Sequence, residues 1–216
     1  MANFYIPFDT ETGGLNCETS DLLTIYIAVM DENFKIVDEL NLKLKPNDGR
    51  LPIAEAQALK ANGIDLVKHM ADPETITYYE AATKIVLMLR KYLKRNGRYS
   101  NLKPMGQNIP FDIAYVQKYL IPKKEWESIL HYVLVDTKPI VDFLKECQWF
   151  PKELGTLSSI VEYLGVPKRN AHNAKEDTLM AIDVYKAILA LMASKKNAGA
   201  SQGGQTQDLI ALLEAE

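Results

Sequence analysis

The sequence predicts an α/β domain on one mixed sheet, and three observations carry that prediction. Residues 22–30 (LLTIYIAVM) and 34–44 (FKIVDELNLKL) are strand-like runs separated by Asp31-Glu32-Asn33, which reads as an antiparallel hairpin. Residues 3–9 form another strand-like run before them. From residue 76 onward, helical periodicity alternates with short strand-like runs, the pattern of helices covering a sheet.

Each element has its own signal. In IVDELNLKL, apolar and polar residues alternate, as in a half-buried antiparallel strand. After KPNDGRLP the pattern turns helical over 53–61, and Asn62-Gly63 supplies the stop. A long helix is expected over 76–95, with Ile76, Ala81, Ile85, Met88, Leu89 and Tyr92 on one side. A strand near 102–107, a helix at 110–120 and a strand near 131–136 come next, then helices near 138–147, 156–164 and 174–193. SKKNAGASQGGQTQ is small, polar and Gly-rich, so a flexible linker with a short apolar-acidic tail is expected over 194–216, after a domain spanning 1–193.

Composition narrows the function classes. The 216 residues are 47% hydrophobic and 25% charged, which suits a single folded core. No apolar run approaches the ~20 residues of a membrane span, and the N-terminus lacks the pattern of a secretory signal. With only Cys17 and Cys147, the chain reads as a cytoplasmic protein without a disulfide framework. The net charge of −3 is no advertisement for nucleic acid. Two local basic stretches are candidates for holding phosphate: Arg90, Lys91, Lys94, Arg95 and Arg98 in RKYLKRNGR, and Lys168, Arg169 and Lys175 in PKRNAHNAK. The first also reads as the solvated end of a helix, where basic residues need no ligand.

The tetrapeptide Ile-Pro-Phe-Asp occurs twice, at 6–9 and 109–112, with unrelated flanks. At the first copy, Asp9 and Glu11 end a strand, and period-2 alternation points both carboxylates to one face. Two acids on one face repel unless a cation lies between them. Gly13-Gly14 then allows a sharp turn and a close approach to a ligand. At the second copy, Pro110 suits a first helical turn, and Asp112 heads the stripe Asp112, Tyr115, Val116, Tyr119, Leu120. Near the end, Asn173 is a good N-cap with Glu176 three residues on. Asp177 there heads a second apolar stripe of Ala181, Val184, Tyr185, Ile188, Leu191 and Met192. Buried carboxylates are costly unless paired or metal-bound, so these four acids are a candidate cation site. His172, on a loop just before the cap, is a candidate general base.

Taken together, FDTETGG, GQNIPFDIAYV and HNAKED resemble the three motifs of the DEDDh 3′–5′ exonucleases, a ribonuclease-H-like family that includes the proofreading epsilon subunit of bacterial replicative polymerases. ALKANGID, VDTK and GTLSSIVEYLGV are similar to segments between those motifs, so the resemblance spans about residues 3–190. It implies a ribonuclease-H-like exonuclease fold, with an antiparallel hairpin plus parallel strands in a mixed sheet flanked by helices. It implies removal of nucleotides from a 3′ end, giving nucleoside 5′-monophosphates, with two Mg²⁺ or Mn²⁺ ions about 4 Å apart. Carried over, Asp9 would bridge both ions, Glu11 and Asp177 would hold the nucleophile-side ion, and Asp112 would act through water. His172 would take the proton of the attacking water. Thr10, Thr12, Gly13, Leu15, Asn108 and Phe111 would hold the terminal nucleotide.

The chain departs from that pattern at Gly13-Gly14 in place of Thr-Gly, at Gln107 in place of a frequent histidine, and in the second strand, which lacks the usual acid or amide. Pro7 is awkward in a central strand, where it forfeits a ladder hydrogen bond. Single-stranded DNA ends are the expected substrate. RNA ends are the nearest alternative, and a catalytically silent binding module keeping the fold is a different class. Proofreading would require a polymerase in trans. Gln207 to Leu213 (QDLIALL) loosely resembles peptides that dock on sliding clamps, with packing on its own domain as the plainer reading.

Overall fold

A computed structural model describes residues 3–97, 99–169 and 173–200. The chain opens with β1 (Phe4–Thr12), β2 (Leu22–Met30) and β3 (Ile36–Lys45). Then come α1 (Ala56–Asn62), α2 (Leu66–Ala71), β4 (Thr75–Thr77) and α3 (Tyr78–Tyr92). β5 (Arg95–Asn96) and β6 (Tyr99–Ser100) make a small separate ribbon before β7 (Leu102–Gly106). The rest is α4 (Pro110–Tyr119), α5 (Lys123–Ile129), β8 (Val135–Asp136), α6 (Thr137–Glu146), α7 (Leu157–Leu164) and α8 (Ala174–Ala200).

The sheet runs β4-β3-β2-β1-β7-β8. β1, β2 and β3 pair antiparallel, whereas β4, β7 and β8 join in parallel. This is the mixed sheet expected from sequence. β2 is buried on both faces. Ile25, Ile27 and Val29 belong to the core under α3, α4 and α5, while Tyr26 and Ala28 pack against Ala174 of α8. A further core joins α6, α7 and α8 through Val141, Leu144, Val161, Val184 and Ile188. Helices therefore cover both faces of the sheet, and α8 lies against β1 and β2 with its first turn at the C-terminal end of β1.

Several boundaries differ from the sequence reading. β1 runs on to Thr12, because Thr10, Glu11 and Thr12 continue the ladder with β2. The long helix starts at Tyr78 behind a capping box of Thr77 and Glu80; the residues before it form β4. α2 and α5 are additional short helices, and only Val135 and Asp136 of the strand expected near 131–136 pair with β7. The last helix continues to Ala200, seven residues past the expected end at 193; the tail, including Gln207 to Leu213, lies outside the described residues. Pro7 does sit in a central strand: Pro7 pairs with Met105, and Ile6 beside it pairs with Pro104. Ile6 and Phe8 are fully buried on either side of Pro7, so burial overrides the lost donor. No described helix is long and apolar enough to cross a membrane.

Candidate active site

The alternation of β1 decides which acids meet. Ile6, Phe8 and Thr10 face the core under α3 and α4, so Asp9 and Glu11 face α8 and stay partly exposed. Asp9 lies across the ladder from Tyr26, and Glu11 from Thr24. α8 delivers Asp177 to the same face. Asn173 starts that helix, its side chain accepting from the N–H groups of Lys175 (3.1 Å) and Glu176 (3.3 Å). One carboxylate oxygen from each of Asp9, Glu11 and Asp177 lies within 4.8 Å of the others.

Asp112 arrives from the opposite face. It is buried in the first turn of α4, and its Oδ1 accepts from both the N–H (2.9 Å) and the hydroxyl (2.6 Å) of Thr10. It lies outside the 4.8 Å group, yet its charge reaches Asp9 and Glu11. Burial holds the Asp9 carboxyl well above the carboxylate range, with Asp112, Asp177 and Glu11 adding to it. Burial, Asp177 and Asp112 push Glu11 up to about 8. Asp112 is raised by burial to about 7 although the Thr10 bonds pull it down; Asp136 raises it further. The four acids predicted from sequence therefore converge from three elements, where burial penalises their charged forms most and repulsion adds to it at Asp9 and Glu11.

The residues expected around a terminal nucleotide have varied surroundings. Leu15 projects into solvent at 87% exposure from the loop after β1. Thr10 gives both its donors to Asp112, and the Thr12 hydroxyl bonds the Gly14 carbonyl at 2.7 Å. Asn108 is exposed, holds a left-handed φ of 57°, and donates its N–H to Asp136 Oδ1 at 2.8 Å. Phe111 packs on Tyr115, ring centroids 5.2 Å apart. Gly13 has a different reason from the expected one. A Cβ there would lie 2.3 Å from the Ile53 carbonyl oxygen, so the close approach is by the protein's own 53–55 segment. Gly13 donates to Asp21 O and accepts from Glu55 N, 2.7 Å each. His172 lies outside the described residues.

Several supporting residues were missed in the sequence. Tyr115 OH donates to Gly14 O (2.8 Å) and meets Ser20 Oγ (2.7 Å), and Tyr119 OH bonds Ser20 O (2.7 Å), so α4 pins the loop after the acidic strand. Asp21, buried at the far end of that loop, accepts from Arg50 at 2.5 and 3.0 Å and from Ile53 N at 2.6 Å. Burial raises the Asp21 carboxyl, but these bonds outweigh it and hold it below its usual value. The tyrosines were visible in the α4 stripe, but their loop partners were not. Four residues of the basic stretches form ion pairs at the surface: Arg90 with Glu125 (3.2 Å), Lys91 with Asp38 (3.3 Å), Arg169 with Asp183 (3.1 Å) and Lys175 with Glu39 (2.9 Å). These four cations serve the protein's own carboxylates, and Arg98 lies outside the described residues.

No protein-family model and no curated protein sequence matches the chain. Solved structures do. The zinc-bound E. coli ExoI–ssDNA complex aligns with 98% of this chain at a TM-score of 0.66 and 16% identity. Exonuclease I in a structure addressing processivity aligns with 86% at 0.64 and 17%, and an ExoI/SSB-Ct complex with 98% at 0.64 and 15%. The fold is the ribonuclease-H-like exonuclease fold of those proteins. This chain spans 45%, 40% and 46% of their lengths, so it matches less than half of each.

Proposed function

We propose that the protein is a metal-dependent 3′–5′ exonuclease of the DEDDh family, acting on single-stranded DNA ends and releasing nucleoside 5′-monophosphates. The observation that carries this reading is the meeting of Asp9, Glu11 and Asp177 within 4.8 Å at the end of β1, on the fold of exonuclease I.

The donor set fits a hard divalent cation. All three groups offer oxygen, the cluster is partly open to solvent, and the forces that raise Asp9 and Glu11 are burial and other carboxylates, which a cation relieves. Mg²⁺ or Mn²⁺, two ions in the full reading, would polarise the phosphodiester and lower the cost of charge on the attacking and leaving oxygens. Asp9, Glu11 and Asp177 would hold them. Asp112, fixed by its two bonds from Thr10, would orient water at the edge of the site. His172 would accept the proton of the attacking water, and exposed Leu15 would pack against the terminal base.

The test incubates the protein with 5′-labelled single-stranded DNA and RNA, with and without Mn²⁺. A metal-dependent ladder from the 3′ end of DNA supports the reading. A ladder on RNA alone moves the substrate to RNA, and no ladder on either leaves the silent binding module. Recruitment to a polymerase or sliding clamp through Gln207 to Leu213 is a separate proposal. If a chain ending at Ala200 binds a sliding clamp as well as the full chain does, that proposal fails.

A further inference from the structure

The first turn of α8 carries Asp177, yet the side chains it lays on the sheet give little grip. Ala174, Asp177, Thr178 and Ala181 share one helix face. Ala174, Thr178 and Ala181 are buried at 1–3% exposure. Two of them end in a single methyl group, and the Thr178 hydroxyl turns back to donate to the Ala174 carbonyl at 2.7 Å. Small side chains bring the helix close to the sheet but make few contacts that resist its rotation. The large apolar contacts of α8 begin at Leu179 and Met180, beyond the first turn. Side chains end about 5–6 Å from a helix axis, so a rotation of roughly 15° at this end would carry the Asp177 carboxylate more than about 1 Å.

A contact among three residues stands at this place. Tyr26 lies directly across the β1–β2 ladder from Asp9, so its ring is on the same face of the sheet as that acid. The ring is fully buried, and Ala174 packs on it. Its hydroxyl donates to Glu39 Oε2 on β3. Glu39 Oε1 accepts from Lys175 Nζ at 2.9 Å, and that ammonium lies 5.3 Å from the centroid of the Tyr26 ring. One carboxylate thus ties β2 and β3 to the first turn of α8, with both of its oxygens used. Lys175 is two residues before Asp177. The contact therefore links the neighbour of one clustered acid on the sheet to the neighbour of another on the helix.

We propose that Tyr26, bracing Lys175 through Glu39, is a positioning residue that fixes the rotation of α8 and so sets the Asp177 carboxylate beside Asp9 and Glu11. The use of that geometry in cleavage rests on the exonuclease reading; the geometry itself is read by metal binding alone. A metal site tolerates only about 0.2 Å in its ligand distances, so a loosened first turn should register there first.

The test titrates Mn²⁺ alone into the full-length protein by calorimetry. Tyr26→Phe keeps the ring and removes the hydroxyl. It should weaken Mn²⁺ binding about tenfold, the lower end of what groups that orient metal ligands contribute. Lys175→Ala, at a part-exposed position and with Tyr26 untouched, should weaken it similarly. Charge alone predicts the opposite, because losing a cation beside the acids should tighten Mn²⁺ binding. Glu39→Ala should also weaken binding, and Glu39→Gln, whose amide can still bond both partners, should recover most of the loss. On single-stranded DNA at saturating Mn²⁺, Tyr26→Phe should lower kcat by about tenfold and leave KM unchanged. Wild-type or tighter Mn²⁺ binding in either Tyr26→Phe or Lys175→Ala overturns the proposal, and a lower Tm beside it would make the contact structural only. Equal losses in Glu39→Ala and Glu39→Gln overturn it too, since the carboxylate would then act by charge. Weakened Mn²⁺ binding in a protein that cleaves nothing supports the positioning role and removes the exonuclease reading instead. A wild type that binds no Mn²⁺ overturns both.

Discussion

Ile6-Pro7-Phe8-Asp9 and Ile109-Pro110-Phe111-Asp112 are the same four residues in two backbone states. In β1 the proline is buried beside Met105 in the middle of the sheet. In α4 it is exposed at the first helical turn, preceded by Ile109 at φ −56°, ψ −24°, a region that residues before proline ordinarily avoid. The residues after each copy decide the outcome. β-branched Thr10 and Thr12 extend the strand, whereas Ala114, Gln117 and Lys118 favour the helix. The two carboxylates also live differently. Asp9 is surrounded by other acids, while Asp112 receives two hydrogen bonds from Thr10. Identical letters thus give one acid that strains the fold and one that is wired into it.

The sharpest way to break this contrast is to remove each acid in turn. Asp9→Ala and Asp112→Ala should both reduce hydrolysis to background. Their stabilities in EDTA should part. Asp9→Ala should melt at or above wild type, because it relieves repulsion, and Asp9→Asn should match it. Asp112→Ala should melt several degrees below Asp112→Asn, which keeps a carbonyl acceptor for Thr10. An unpaired buried donor costs about 1–3 kcal/mol, and 1 kcal/mol shifts Tm by roughly 2–4 °C in a chain of this size. Added Mn²⁺ should raise the wild-type Tm more than that of either alanine variant. Thermal melts of the four variants decide it: an Asp9→Ala protein melting well below wild type would make Asp9 structural.

On the proposed function, the proton of the attacking water is assigned to His172, outside both copies. His172→Ala should lose about 10²–10⁴-fold in single-turnover rate and keep the Mn²⁺-induced rise in Tm. His172→Gln should do the same, since an amide can orient water but cannot take its proton. The rate should rise with pH as the imidazole deprotonates. Wild-type rates in both variants would assign the proton elsewhere.

The contrast also separates what was legible in sequence from what was not. The strand of Asp9, the helix of Asp112 and the helix of Asp177 follow from local periodicity and capping, and their order along the chain resembled one family. The reason for Gly13 was not legible, because it is the approach of residues 53–55 from about forty positions away. Nor was Asp136, which holds Asn108 in its left-handed turn just before the second copy. Nor were the ion-pair partners of the basic stretches legible, since Asp38, Glu125 and Asp183 are distant in sequence and became visible only in the fold. Local pattern located the acids, and nonlocal contact determined what holds them.

The raised carboxyls of the acidic site should show in the pH dependence of stability. Glu11 is raised from 4.5 to about 8 and Asp112 from 3.8 to about 7, so between those limits the folded apo protein binds more protons than the unfolded chain. Stability of the apo protein should therefore fall as pH rises from about 5 to 8, on the order of a few kcal/mol. Glu11→Gln should flatten the slope. Metal binding needs the deprotonated carboxylates, so Mn²⁺ affinity should move the other way, rising over the same range with release of protons. Urea unfolding in EDTA and calorimetric titration of Mn²⁺ at pH 6 and 8 measure the two trends. An apo stability that rises with pH would mean that the acids are compensated without a cation.

The smallest effect is at the second proline. Pro110 is exposed at the first turn of α4, where its missing N–H has no helical partner to lose. Replacing it with alanine should leave the folded contacts almost untouched and enlarge the freedom of the unfolded chain, costing at most about 0.4–1 kcal/mol, since it also frees Ile109 from the restriction a following proline imposes. That corresponds to a Tm lower by roughly 1–4 °C. Asp112 should keep its bonds to Thr10, so the cleavage rate and the Mn²⁺ midpoint should stay at wild-type values. A variant that keeps its Tm but loses rate would mean that Pro110 aims Asp112 and does more than stiffen the chain. The second copy of the tetrapeptide would then need its proline for the site itself.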